Sequence, residues 1–195
     1  MKTKIPEYEC FNDLAAARQR GRDYDIETRE RSLDIIFIAP HGGKIEPETE
    51  HIARHLAGDD FSFHVFESYL PTGANNLHIT SHHYDEPSAL ALVQRCRIGV
   101  GIHGRRSPNS NDVEIWLGGL NREKVLEVSK RLKAVGFETR TEGHDFQAKH
   151  PRNICNRAAE HGIQLEITRT LRQRLRREAA VMDQFSNAIR TGLGV

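Results

Sequence analysis

The chain reads as an α/β fold, a single domain over residues 1–195 with a mostly parallel central sheet flanked by helices. Three observations carry that reading. Residues 33–39 (LDIIFIA) and 98–102 (IGVGI) are apolar runs of strand length, the pattern of strands covered on both faces. Segments of helical periodicity alternate with such runs, which is how parallel strands are joined. No repeat, low-complexity tract or Pro/Gly/Ser linker interrupts the alternation.

Taken in order, Asn12 suits the cap of a short helix through residues 14–17 that ends near Gly21. Residues 33–39 form a buried strand. Residues 47–57 are helical: Pro47 fits a first-turn position, and Ile52 and Leu56 share a face. Residues 61–66 alternate as a strand, with Phe61, Phe63 and Val65 on one side, and residues 77–80 are a further short strand. A mostly apolar helix over 87–96, closed by Cys96, precedes the buried strand 98–102 and another strand over 113–117. In the helix 122–134, Val125, Val128, Leu132 and Val135 follow spacings of three, four and three. A short strand over 137–140, a helix over 153–160 and a strand over 163–168 follow. Leu171, Leu175, Ala179, Met182, Phe185 and Ile189 give one long last helix its apolar stripe.

Lys and Arg number 28 against 27 Asp and Glu, a formal net charge of +1, so no global charge argues for nucleic acid or a membrane surface. Only local basic clusters remain, at Arg105-Arg106 and among the arginines of 169–177. The first residues, MKTKIPEYECFNDL, carry two lysines but no apolar stretch, so they do not form a secretory signal, and residues 35–40 are too few to span a bilayer. Cys10, Cys96 and Cys155 are odd in number and lack CxxC spacing, which fits reduced cysteines and a cytoplasmic location, with release by lysis as a route to an outside substrate. A monomer is the expected state.

Two of the apolar runs end on an imidazole followed by glycine: His41-Gly42-Gly43 and His103-Gly104. In open parallel sheets, ligands bind beyond such carboxyl ends. Glu46, five residues after His41, adds a carboxylate. Two imidazoles, one carboxylate and an open fourth position make the shell of a catalytic zinc site. Taken alone, the first segment is equally a glycine-rich strand-to-helix turn with Glu46 as a first-turn acid. It is not a nucleotide loop, because GxGxxG and GxxxxGK[ST] are absent and Glu46 would repel phosphate.

Glu166 lies inside the apolar strand QLEIT, where an unused carboxylate is costly. It either pairs with an arginine or faces solvent on an edge, or it is a general base held opposite the metal. His51 and His55 share the spacing of HExxH, but Ile52 stands where that motif needs glutamate, leaving both on a solvated flank. His82-His83 before Tyr84-Asp85-Glu86-Pro87 is either a helix-entry loop or the rim of the site, with His83 as the candidate binding residue. His64, His144, His150 and His161 have no readable partner spacing.

Several ordered segments together resemble one family: PHGGKIE (40–46), LPTGANNLHITSHHYDEP (70–87), GIHG (101–104), GGLN (118–121), NICNR (153–157) and GIQLEIT (162–168). From Asp23 to Glu166 the chain resembles the phage and bacillar poly-γ-glutamate hydrolases, zinc enzymes that cut poly-γ-glutamic acid. The resemblance implies a compact relative of the zinc carboxypeptidases with a mixed central sheet. It also implies zinc ligands at His41, Glu46 and His103 and a catalytic glutamate at Glu166. Asn153, Asn156 and Arg157 fall in a segment that the resemblance expects to line the cleft. Arg157 is either a bidentate clamp for a substrate carboxylate or part of a structural ion pair. Arg105-Arg106-Ser107-Pro108, after GIHG, departs from the family pattern and leaves specificity open.

The expected function is zinc-dependent hydrolysis of γ-glutamyl amide bonds, a metallopeptidase activity in which Glu166 activates water. Arg157, helped by Arg105 or Arg106, would recognise free α-carboxylates. The expected partner is an anionic γ-glutamyl polymer, with nucleic acid and membranes excluded. The alternatives are a zinc amidohydrolase of a small N-acyl amino acid such as N-formylglutamate, and a non-catalytic anion-binding domain on the same fold.

Overall fold

A computed structural model describes residues 8–70, 77–107, 109 and 112–195. Its strands are β1 (Tyr24–Arg29), β2 (Ser32–Gly43), β3 (Phe61–Ser68), β4 (Ile98–Arg105), β5 (Ile115–Gly118), β6 (Thr139–Arg140) and β7 (Gly162–Thr168). Its helices are α1 (Phe11–Ala17), α2 (Thr49–Ala57), α3 (Pro87–Val93), α4 (Arg122–Ala134), α5 (Arg169–Arg177) and α6 (Ala179–Leu193). The strands form one seven-stranded sheet in the order β1-β3-β2-β4-β7-β5-β6. The four central strands are mutually parallel, while β1 runs antiparallel to β3 and β5 antiparallel to β7. The sheet is therefore mixed, with the mostly parallel centre that the sequence predicts.

Period-two alternation inside the apolar runs places the sheet between two cores. From β2, Ile35, Phe37 and Ala39 enter one core with Ile52 and Leu56 of α2, Val128 of α4 and Phe185 of α6. Ile36 and Ile38 enter the other, with Leu14, Tyr24, Phe66, Tyr84 and Leu92. Strand β4 splits differently. Ile98, Val100 and Ile102 fill the first core, while its opposite face carries Gly99, Gly101 and His103. A 3-10 turn, Ile154–Arg157, lies on that glycine face: a Cβ on Gly99 would meet the Cys155 carbonyl oxygen at 2.3 Å, and one on Gly162 at 2.2 Å. The glycines thus admit backbone where side chains would otherwise stand.

Two element ends shift, with Asn12 inside α1 behind its cap Cys10 and Pro47 ahead of α2 and its cap Glu48, and the structure departs from the predicted elements at five further places. Strand β1 has only Tyr24 and Ile26 as buried apolar residues, too weak a pattern to mark a strand, and it forms by pairing with β3 along its whole length. Residues 78–80 pair with no strand; Leu77 and Ile79 instead plug the second core. The expected helix over 153–160 is only the 3-10 turn. The short strand over 137–140 reduces to Thr139–Arg140. The long last helix breaks at Glu178, whose φ of −113° and ψ of 91° leave the helical region, and Ala179 is exposed rather than part of the stripe. Nothing local forces that break: α5 packs on α2 and the sheet while α6 packs on α4, so tertiary contacts outweigh propensity.

Candidate metal centre

The carboxyl ends of β2, β4 and β7 meet at one edge of the sheet. His103 and Glu166 are direct partners in the parallel register of β4 and β7, so their side chains leave the same face as neighbours. His41 reaches that face through an irregularity. Between Ala39 and Gly42 the pairing of β2 with β3 shifts by one residue, a bulge that re-aims the side chain that follows it. The return of the chain is equally local. A Cβ on Gly42 would stand 2.7 Å from the Phe66 carbonyl oxygen, and one on Gly43, at φ +66°, 2.3 Å from that of Ser68. Only glycine allows so close an approach. The Glu46 N–H then donates to the His41 carbonyl at 2.7 Å, and its carboxylate folds back over the imidazole.

The donor set has a definite polarity. His41 Nε2 lies 2.7 Å from the Ile79 carbonyl oxygen, which can only accept, so Nε2 carries a proton and Nδ1 is the atom turned inward as a ligand. His103 Nε2 stands 3.3 Å from Ser81 Oγ, which likewise turns its Nδ1 inward. The two Nδ1 atoms are 3.2 Å apart, and His41 Nδ1 lies 3.0 Å from Glu46 Oε1. Glu46 Oε2 sits 3.5 Å from His103 Nδ1 and accepts the Gly104 N–H at 2.8 Å. Two imidazole nitrogens and a carboxylate therefore converge within hydrogen-bonding distance of one another, where a cation can take the place of the protons they would otherwise share. Four-coordinate zinc with bonds of about 2.0–2.1 Å holds its ligand atoms about 3.3–3.4 Å apart, close to these separations. The outward hydrogen bonds to Ile79 and Ser81 are the kind that orient metal-bound imidazoles.

Both imidazoles are nearly sealed, His41 at 1% exposure and His103 at 2%. Burial alone raises the pKa of Glu46, but the charges and hydrogen bonds of His41 and His103 outweigh it and hold the carboxylate well below its ordinary range. His78 also reaches the site. One ligand atom from each of His41, Glu46 and His78 falls within 4.8 Å of the others. Its ring, however, lies against the His41 ring, centroids 4.0 Å apart at 31°, a face-on contact rather than an edge aimed at the convergence point. The positive His41 beside it, with burial, lowers the His78 pKa to about 3.

Glu166 is buried on the same face, and burial followed by the charge of Glu46 pushes its pKa up to about 8. Its Oε1 accepts from Gln164 Nε2 at 2.9 Å, and Gln164 Oε1 accepts from Asn153 Nδ2 at 2.9 Å. Across β5, Trp116 is its antiparallel register partner. A cavity of about 330 Å³ opens over these groups, lined by His41, Glu46, His78, His103, Gln164 and Glu166 on its floor and by His82, Lys149 and His150 higher up.

The predicted substrate-binding residues fare unevenly. Arg157 does not line that cavity; its Nε donates to the Arg152 carbonyl at 3.0 Å. Arg105 is buried and committed, donating to both Asp112 oxygens at 2.9 Å and lying 4.0 Å over the Trp116 ring. Asn156 is buried and holds the cavity's wall from behind, donating to the Ala148 and His150 carbonyls at 2.7 and 3.0 Å. Of the histidine pair, His82 faces the cavity and stacks on His150 at 4.8 Å, while His83 is exposed outside it. The reading of the sequence missed His78, Gln164 and Trp116, while Asn153 lines the cavity as expected of its segment. His78 had a signal: it stands between Leu77 and Ile79, both buried, so alternation turns it the other way.

The family model for poly-gamma-glutamate hydrolase matches residues 8–189. The chain belongs to that family. Among curated relatives, it is 34% identical to the SPbeta prophage-derived UPF0714 protein YoqZ of Bacillus subtilis (strain 168), over 86% of this chain and 61% of YoqZ. It is 31% identical to the UPF0714 protein YndL of the same organism, over 86% of this chain and 66% of YndL. The chain thus spans under two thirds of each of these relatives. The solved structure of a bacteriophage poly-gamma-glutamate hydrolase superposes with a TM-score of 0.88 at 28% identity, covering 96% of both chains. Zinc-free YndL superposes at 0.84 and 28% identity, over 96% of this chain and 97% of that one. A metallo-carboxypeptidase from Burkholderia cenocepacia, 12% identical at a TM-score of 0.50 over 94% of this chain and 68% of its own, shares the fold alone.

Proposed function

We propose that the protein is a zinc-dependent hydrolase of the γ-glutamyl amide bonds of poly-γ-glutamic acid, with the ion held by His41 Nδ1, His103 Nδ1 and Glu46. The observation that carries this reading is the convergence of those three ligand atoms beside a buried glutamate. Family membership and the likeness to the bacteriophage poly-gamma-glutamate hydrolase support the choice of substrate. An ion held there supplies a Lewis acid for the scissile carbonyl and lowers the pKa of water.

The chain's own groups do the remaining work. Glu166 takes a proton from the attacking water at its carboxylate and returns it to the leaving amine. Gln164 donates to Glu166 Oε1 and fixes that oxygen, which leaves Oε2 as the one that moves protons. A cation at the neighbouring donors favours the ionised form of Glu166, opposing the burial that raises its pKa. His78 and Lys149 line the same cavity as donors to a bound carbonyl or carboxylate. The test is digestion of poly-γ-glutamic acid by zinc-loaded protein, followed by the size of the products. Loss of cleavage with chelator and its return with zinc are expected; cleavage of N-formylglutamate but not of the polymer would refute the substrate.

A further inference from the structure

A second cavity, of about 290 Å³, meets the first at Glu46, His78 and Gly104 and extends toward α5. Its walls include Arg105, Arg106, Arg169 and Arg172, and Glu46 is its only acidic residue among the described ones. Arg105 is neutralised by Asp112. The other three are not paired: no ion pair among the described residues engages Arg106, Arg169 or Arg172. Elsewhere arginines are spent on carboxylates, as in Arg54 with Glu27 and Glu67, Arg97 with Asp34 and Glu160, and Arg174 with Glu178.

Arg172 is built in rather than incidental. It is 3% exposed, its Nε donates to the Pro47 carbonyl at 2.8 Å, and its Nη1 donates to the Ile167 carbonyl. Its guanidinium lies on Gly104, where a Cβ would stand 2.3 Å from Nη1 and 2.9 Å from Nη2. The guanidinium donates to neutral carbonyls and makes no ion pair among the described residues; burial lowers its pKa, and Glu46, Glu166 and Glu50 offset that only through space. The amino end of α5, capped by Thr168, adds its own positive field to the same side.

We infer that this arginine-lined cavity is a carboxylate subsite, which seats the α-carboxylate of the glutamyl unit next to the scissile bond and makes the centre select oligomers over small acyl-amino acids. The inference rests on the γ-glutamyl reading above. Arg106 and Arg169 are exposed at the mouth and meet the polyanion; Arg172 lies deeper, against the backbone that joins His103 to Arg105. Guanidinium suits this task because it binds carboxylate bidentately and stays charged.

The test uses zinc-loaded Glu166→Gln protein, which should bind without turnover, titrated with penta-γ-glutamate by calorimetry and by the fluorescence of Trp116, the only tryptophan. Arg106→Gln with Arg169→Gln should weaken binding about ten-fold, whereas Arg174→Gln, which removes an arginine paired to Glu178, should not. In otherwise native zinc-loaded protein the same pair should raise KM for the polymer with kcat within about two-fold. Equal affinity with and without the two arginines, in a parent that does bind the pentamer, would overturn the subsite and leave the hydrolase reading standing. A parent that binds no pentamer at all would overturn both.

Discussion

Gly104→Ala should destabilise the fold strongly although no candidate ligand is replaced. The new Cβ would lie 2.3 Å from Arg172 Nη1 and 2.5 Å from its Cζ, contacts no real Cβ makes. Arg172 cannot swing away cheaply, because both its bonds to the Pro47 and Ile167 carbonyls break when the guanidinium moves. Hydrogen bonds to charged groups are worth about 1.5–3 kcal/mol each, so losing the two costs roughly 3–6 kcal/mol. That is a large share of the roughly 5–15 kcal/mol by which domains are stable. At about 2–4 °C per kcal/mol for a chain of this size, the midpoint should fall by roughly 6–24 °C. Gly101→Ala is the internal comparison. On the same strand its Cβ would meet nothing nearer than 3.5 Å, an ordinary contact, and it should cost under about 1 kcal/mol. Urea unfolding followed by circular dichroism measures both. Equal losses for the two variants, or a Gly104→Ala loss below about 1 kcal/mol, would refute the packing of Arg172 on that glycine.

Two further outcomes are expected. Glu166→Gln should lower poly-γ-glutamate hydrolysis by about 10²–10⁴-fold while zinc content stays at the parent level, and a variant with parental turnover would remove Glu166 from the chemistry. Stability should fall as the medium is acidified from about pH 6.5 to pH 4. The buried His64 has its pKa lowered to about 4 by burial, against the raising effect of Glu86, so the folded chain holds it neutral where the unfolded chain protonates. His64 accepts or donates at 2.8 Å with both Thr28 Oγ1 and Tyr84 Oη, and acid titration of His64→Gln should show a shallower decline than the parent.

Legibility in the sequence followed the strength of local signals. The apolar runs of β2 and β4 announced a parallel centre because burial on both faces leaves little room for polar residues. The meeting of His41, Glu46 and His103 was readable for a related reason: parallel strands put their carboxyl ends on one edge, so residues ending two such runs are neighbours. Strand β1 was not readable, since YDIETR gains its conformation from pairing with β3 rather than from its own pattern. The bulge that turns His41 leaves no mark in composition. The fate of Arg105 hinged on Asp112, seven residues on, and on the Trp116 ring, and neither spacing distinguishes a buried ion pair from a free substrate clamp. Arg172 looked like one member of a basic helix; its burial against Gly104 exists only once α5 is docked on the sheet.

Metal stoichiometry of single-ligand variants tests the proposed centre most directly. Equilibrium dialysis against zinc, read by elemental analysis, should give one ion per chain for the parent and for His78→Ala, and far less for His41→Ala, Glu46→Ala and His103→Ala. Full zinc retention by His103→Ala together with loss in His78→Ala would contradict the account, because it would replace the Nδ1 atom 3.2 Å from that of His41 with the ring stacked upon it.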